Sequence, residues 1–176
     1  FAFGGSCLPK DLRALTYESK TRDLDLPILT SILSSNIEQI ARGVRLIAAQ
    51  GHRKIGILGC AFKAGTDDLR ESPMIEVIER LVGKGFDLRI YDRNVSISGL
   101  IGANRDFILN HIPHIAKLMV TSMDEVLQHA ETLVIGNDDP EFLNVLSGLR
   151  DDQHVVDFAR ISSSKTTDER YHGICW

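Results

Sequence analysis

No stretch of this chain stays apolar for the roughly 18 residues that a membrane span requires, because charged residues break every candidate run. A basic excess is missing too: a net charge of −4 and a pI near 5.9 argue against a nucleic-acid or membrane-surface partner. No charged-then-apolar leader is present, so secretion is not indicated. Cysteine is scarce and odd in number, with Cys7, Cys60 and Cys175 at no metal-ligand spacing. That usage fits free thiols in a cytoplasmic, reducing setting, with neither a disulfide framework nor a metal. Repeats and low-complexity tracts are absent, as is a Gly-x-Gly-x-x-Gly loop, which removes the standard dinucleotide fingerprint.

What remains is a chain of 176 residues, 43% hydrophobic, able to bury one good core in a compact domain with an appendage. Its richest run is the first, Phe1-Ala-Phe-Gly-Gly-Ser-Cys7-Leu-Pro-Lys10-Asp11. Gly4 and Gly5 let a backbone approach a ligand closely and can turn amides toward an anion. Pro9 suits the first turn of a helix starting near Leu8. A helix N-terminus and the nearby Lys10 ammonium both favour negative charge on sulfur, which places Cys7 like a nucleophile. Buried, inert cysteine is the ordinary alternative. The run opens inside a functional-looking loop without an initiator methionine, so the expectation is the C-terminal part of a longer protein.

A first helix is expected over residues 8–20. A second begins at Leu26-Pro27, where Ile28, Ile32, Leu33, Ile37, Ile40, Val44 and Ile47 recur at helical spacing until Gln50-Gly51. About 24 residues would span roughly 35 Å, long for a surface helix and better suited to a connector or dimer-forming element. Beyond Gly51 the pattern alternates. Strands are expected at 54–62, 87–92, 118–121, 132–136 and 154–158, with helices at 73–82, 123–129 and 140–149 and broken helical signals from Ser98 to Lys117. This β-α-β order predicts a Rossmann-like α/β domain with a parallel sheet, preceded by a long central helix. Ligands of such sheets bind outside the carboxyl ends of the strands. Residues 161–176 read as a polar tail whose Tyr171, Ile174 and Trp176 suggest a docked end.

A second motif follows the first strand: Ala61-Phe-Lys63-Ala-Gly-Thr-Asp67-Asp68-Leu-Arg70-Glu-Ser72-Pro73. Lys63 and Arg70 are cations suited to phosphate or sugar hydroxyls, and Ser72 before Pro73 is a natural N-cap. A solvated charged loop is the plainer reading. Cys60 reads as core and Cys175 as incidental. His52 and Arg53 are expected to cap the long helix. His111 and His114 lack a third metal ligand.

Together the two motifs resemble the nucleotide-sugar 6-dehydrogenases, the family of UDP-glucose and GDP-mannose dehydrogenases, and the resemblance runs the length of the chain. The tail Gly173-Ile-Cys-Trp176 is most similar to GDP-mannose members from alginate-producing bacteria. The resemblance implies oxidation of a sugar C6 alcohol to a carboxylate with two NAD. Cys7 would form a thiohemiacetal and then a thioester. Asp11 would position water for hydrolysis. Lys10 and Arg70 would contact NAD, and Phe1, Gly4 and Lys63 the sugar nucleotide, GDP-mannose in preference to UDP-glucose. Asp67 and Asp68 would shape their loop. It further implies a catalytic loop and homodimer helix in residues 1–50, a sugar-nucleotide domain in 51–160 and a tail in 161–176. The family's N-terminal NAD domain and an oxyanion-stabilising lysine are absent, so the chain alone is expected not to turn over. A non-catalytic nucleotide-binding module with a structural Cys7 is one competing reading. A thiol hydrolase, which needs a histidine base beside Cys7, is another.

Overall fold

The computed structural model describes residues 1–95, 106, 108, 110, 112–161 and 168–174. Two helices come first, α1 (Leu8–Thr21) and α2 (Pro27–Ala48). Each has a proline in its first turn, where the missing N–H costs no hydrogen bond. In α1, Asp11 in the first turn and Lys20 in the last complement the helix dipole. Gln50 closes α2, its side-chain amide donating to the Leu46 carbonyl, and Gly51 turns the chain away at φ 77°. The structure assigns His52 and Arg53 elsewhere. The His52 ring meets the Thr132 hydroxyl at 2.9 Å, and the Arg53 guanidinium donates to the Gly85 carbonyl at 2.9 Å.

The sheet is wholly parallel, in the order β2-β1-β3-β4-β5. Its strands are β1 (Lys54–Leu58), β2 (Asp87–Tyr91), β3 (Thr132–Ile135), β4 (His154–Asp157) and β5 (Tyr171–Gly173). Helices α3 (Pro73–Gly83), α4 (Pro113–Ala116) and α5 (Met123–His129) connect them, with a 3-10 segment at Pro140–Gly148. The central strands alternate between two cores, as parallel strands covered on both faces must. Val134 and Val156 pack with Ile40, Val44 and Ile47 of α2 and with Ile78 and Leu81 of α3. Leu133, Ile135 and Val155 pack on the other face with Val126 of α5 and Phe142. The expected Rossmann-like class with its long leading helix is what folds.

Three expectations change in detail. Residues 140–149 wind as 3-10 rather than α. Asp139, Phe142 and Val145 are all buried, and at three residues per turn positions three apart stack directly over one another. Residues 118–121 give a single bridge, Met119 to Ile90, before Ser122 caps α5. The tail contributes β5, which pairs with β4, and buries Ile174. Trp176, Cys175 and His111 lie outside the described residues.

Candidate active site

The chain passes from β1 to β2 on one side and returns to β3 on the other, so the strand order reverses between β1 and β3. Ligands of open parallel sheets sit at such a reversal, outside the carboxyl ends. A cleft of about 230 Å³ lies there, walled by Phe62, Lys63, Asn137, Asp138, Phe158 and Phe1. Two buried carboxylates shape the loops around these strand ends. Asp92 accepts the amides of Cys60 at 2.9 Å and Ala61 at 3.0 Å. Asp157 accepts those of Ala159, Arg160 and Ile161 at 2.8–2.9 Å, and also takes the Tyr171 hydroxyl. Asp92 is thereby spent on backbone amides, and Asp157 on backbone amides and the Tyr171 hydroxyl.

The opening loop is laid onto this edge by contacts from three elements. Asn36 of α2 accepts the Phe3 amide at 2.9 Å and donates to the Phe3 carbonyl at 2.8 Å, reading both sides of one residue. Phe1 stacks on Phe158, centroids 4.1 Å apart and planes within 17°. Gly5 has φ 84° and rests against the Phe62 ring, where even a Cβ would meet carbon at 3.0 Å. Its amide donates to the Glu71 carbonyl at 3.3 Å. Gly4 is tighter still: a Cβ would stand 2.1 Å from that carbonyl oxygen. Glycine is required at both places by close approach, and at Gly5 by conformation as well.

Cys7 is the N-cap residue of α1 and is exposed, with the Ser6 hydroxyl 3.9 Å from its sulfur. Lys10 and Asp11 follow on the first turn, their side chains 3.5 Å apart and open to solvent. From the second motif, Arg70 grips Asp68 through Nε at 2.8 Å and Nη2 at 2.9 Å. That hydrogen bond holds the Asp68 carboxyl below its ordinary range and is the main reason that Arg70 lies above its own. Ser72 caps α3 as expected, accepting the Met74 amide while donating to the Cys60 carbonyl.

The structure thus brings Phe1 and Lys63 to one cleft and Gly4 against the loop that carries Arg70, while Cys7 stands exposed at the start of α1. Cys60 is fully buried, and burial, with the Asp92 charge second, pushes its thiol well up. It is a core residue. The described histidines are engaged elsewhere: His52, His154 and His172 group at the opposite edge of the sheet, His114 meets Glu79 at 2.7 Å, and His129 meets the Asp87 carbonyl. Among the described residues no cluster of metal-ligand side chains occurs. Sequence reasoning passed over Asn36, Phe158, Arg13 and Glu71. Asn36 carried a signal, a lone amide inside the apolar stripe of α2. Phe158 carried another, an aromatic at the end of a buried strand.

Comparisons with known proteins identify the family and the fold. The model of the UDP-glucose/GDP-mannose dehydrogenase family, UDP binding domain, matches residues 56–164, and that of the same family's central domain matches residues 1–38. The GDP-mannose 6-dehydrogenase of Pseudomonas aeruginosa is 46% identical over 176 residues, which is 100% of this chain and 40% of that protein. The solved ternary complex of GDP-mannose dehydrogenase from that organism superposes with a TM-score of 0.94 at 46% identity, over 100% of this chain and 40% of the other. A UDP-glucose dehydrogenase from Pyrobaculum islandicum superposes with a TM-score of 0.79 at 26% identity, over 99% and 38%. The chain spans about 40% of the length of the curated relatives that it matches.

Proposed function

The chain belongs to the UDP-glucose/GDP-mannose dehydrogenase family, and from that premise we propose that it is the C-terminal portion of an NAD-dependent GDP-mannose 6-dehydrogenase. One observation carries the reading: the Gly5 amide fastens the Cys7 loop to the Glu71 carbonyl of the 61–73 loop, while Phe1 and Lys63 of the two loops line one cleft at the reversal of strand order. The whole-chain likeness to a GDP-mannose enzyme favours that sugar nucleotide over UDP-glucose.

In this reading the sugar nucleotide lies in the cleft, against Phe1, the Gly4 backbone and the Lys63 ammonium, a point charge suited to phosphate. Two NAD molecules, bound in turn, would each accept one of the two hydrides that leave C6. Lys10 and Arg70, both partly exposed cations, fit contacts to the anionic groups of NAD. Cys7 Sγ adds to the C6 aldehyde carbon to form a thiohemiacetal, which becomes a thioester when the second hydride departs. Asp11, one turn along α1, positions the water whose oxygen completes the carboxylate, and Sγ leaves as thiolate. The aldehyde stays covalently held throughout. The product is GDP-mannuronate, as needed for alginate precursors.

Residues 1–50 supply the thiol loop and dimer helix, 51–160 the sugar-nucleotide domain and 161–176 the tail. The first half of α2 leaves Ile28 and Ile37 exposed beside Leu24 and Leu26, which supports a homodimer through that helix. Light scattering tests the assembly. The functional test is NADH formation by the chain joined to the upstream portion that its relatives carry, with each sugar nucleotide in turn. Turnover with GDP-mannose is expected, and none by the chain alone. Turnover with UDP-glucose only would overturn the substrate.

A further inference from the structure

Glu71 adopts φ 50°, a backbone region disfavoured for a residue with a long side chain. Such a conformation persists where its surroundings over-determine it, and it clusters at functional sites. Here the surroundings are the thiol loop. The Glu71 carbonyl receives the Gly5 amide and presses on Gly4. The Glu71 carboxylate takes both terminal nitrogens of Arg13, Nη1 at 3.1 Å and Nη2 closer still. Arg13 stands on α1 six residues after Cys7, whereas Glu71 directly follows Arg70. One residue therefore holds the thiol loop by its backbone and the thiol helix by its side chain.

Stability does not explain this arrangement. Both side chains are about half exposed, at 50% and 44%, and exposed ion pairs contribute little. Orientation does explain it. Of its own residues α1 buries just Pro9 and Ser19, and Cys7 makes no side-chain cap that would fix the sulfur from within the helix. A bidentate guanidinium–carboxylate pair supplies direction as well as attraction.

We propose that Glu71 is a positioning residue, whose grip on Arg13 through its carboxylate and on Gly5 through its carbonyl sets the position of Cys7 Sγ at the start of α1. This rests on the dehydrogenase reading, since Glu71 acts only through the Cys7 thiol. The test uses the chain joined to its upstream portion, in Glu71→Ala, Glu71→Gln, Arg13→Ala and double-variant forms, with Cys7→Ser as reference. Three quantities are read: kcat, KM for GDP-mannose, and the rate of Cys7 alkylation by iodoacetamide without substrate. Glu71→Ala and Arg13→Ala are each expected to lower kcat by about 10- to 100-fold, the cost of a misplaced reacting group. KM should change little, the alkylation rate should shift severalfold, and the double variant should be no worse than either single one. Glu71→Gln, which keeps a hydrogen bond to Arg13, should recover part of the loss. Arg13→Ala, at a half-exposed helix position, keeps the test available should Glu71→Ala fail to fold. Wild-type kcat and alkylation in Arg13→Ala and Glu71→Gln, with Cys7→Ser inactive, would overturn the role of Glu71 and leave the dehydrogenase reading standing. A fully active Cys7→Ser would overturn both.

Discussion

At the amino ends of the strands, polar side chains are spent on one another and on backbone. The Glu131 carboxylate accepts the Arg53 and Lys54 amides, each at 3.2 Å. Gln153, 1% exposed, donates to the Leu127 and Ala130 carbonyls and accepts the Arg150 amide. His154 meets Gln50 at 2.9 Å, joining β4 to the end of α2. The carboxyl ends differ. There Asp92 and Asp157 complete the loops, but Cys7, Lys10, Asp11 and Lys63 stand beyond them, facing solvent. Two of the three described non-glycine residues with positive φ, Glu71 and Arg160, are also at this end. One edge closes the fold, while at the other Cys7 and Lys63 stay exposed and the Lys10–Asp11 pair sits in solvent. Separate effects of substitution follow: stability should respond at the first edge and chemistry at the second.

The largest effect short of removing the thiol is expected at Gly4. An alanine there must displace both the Glu71 carbonyl, 2.1 Å from the new Cβ, and the Pro73 ring, 2.6 Å from it, or move the loop itself. Turnover in the joined protein should fall by about 100-fold through displacement of the thiol loop. Wild-type kinetics in Gly4→Ala would show that the clamp is slack. The opposite signature is expected for Gln153→Ala. Urea melts should show a loss of about 1–3 kcal/mol for a buried hydrogen-bonding group, eased because Arg150 also donates to both carbonyls. NADH formation by the folded protein should be unchanged. A loss of turnover without a loss of stability would erase the distinction between the edges.

The smallest effect concerns pH. Burial, then the charges of His52, His172 and Arg170, holds the His154 imidazole below its ordinary value of 6.5, with Asp168 opposing. The unfolded chain therefore binds more protons as pH falls through that range. Stability is complete above about 6.5 and declines as pH drops through the lower folded value. Thermal melts from about pH 7.5 to about pH 5 should show a shallower decline in His154→Gln than in wild type. Equal slopes would remove His154 as the group responsible. Asp168 acts further down. Its hydrogen bond to Arg170 lowers it to about 2, so that contribution persists above its ordinary value of 3.8 and fades only toward pH 2.

The comparison also separates what was legible in the sequence from what was not. Short uncharged runs such as Ile55-Gly-Ile-Leu58 and Leu133-Val-Ile135 announce buried parallel strands, and Pro27 and Gly51 punctuate α2. Cys7, Lys63 and Arg70 were visible because thiol, glycine and cation stood together in short motifs. β5 was not, since a Tyr-His-Gly strand of three residues has no periodicity to read and depends on β4 and the Asp157 carboxylate. The 3-10 winding was hidden as well, because Phe142 and Val145 suit either helix until their shared face is known. Arg13 and Glu71 are 58 residues apart, and only the fold makes them partners.

The central claim is that Cys7 carries the oxidised sugar covalently between two hydride transfers. Its most direct test counts NADH formed per GDP-mannose consumed, for wild type and Cys7→Ala, in the chain joined to its upstream portion. Two NADH per sugar in wild type, and loss of that yield in Cys7→Ala with folding intact, is the predicted result. Two NADH per sugar in Cys7→Ala would contradict it.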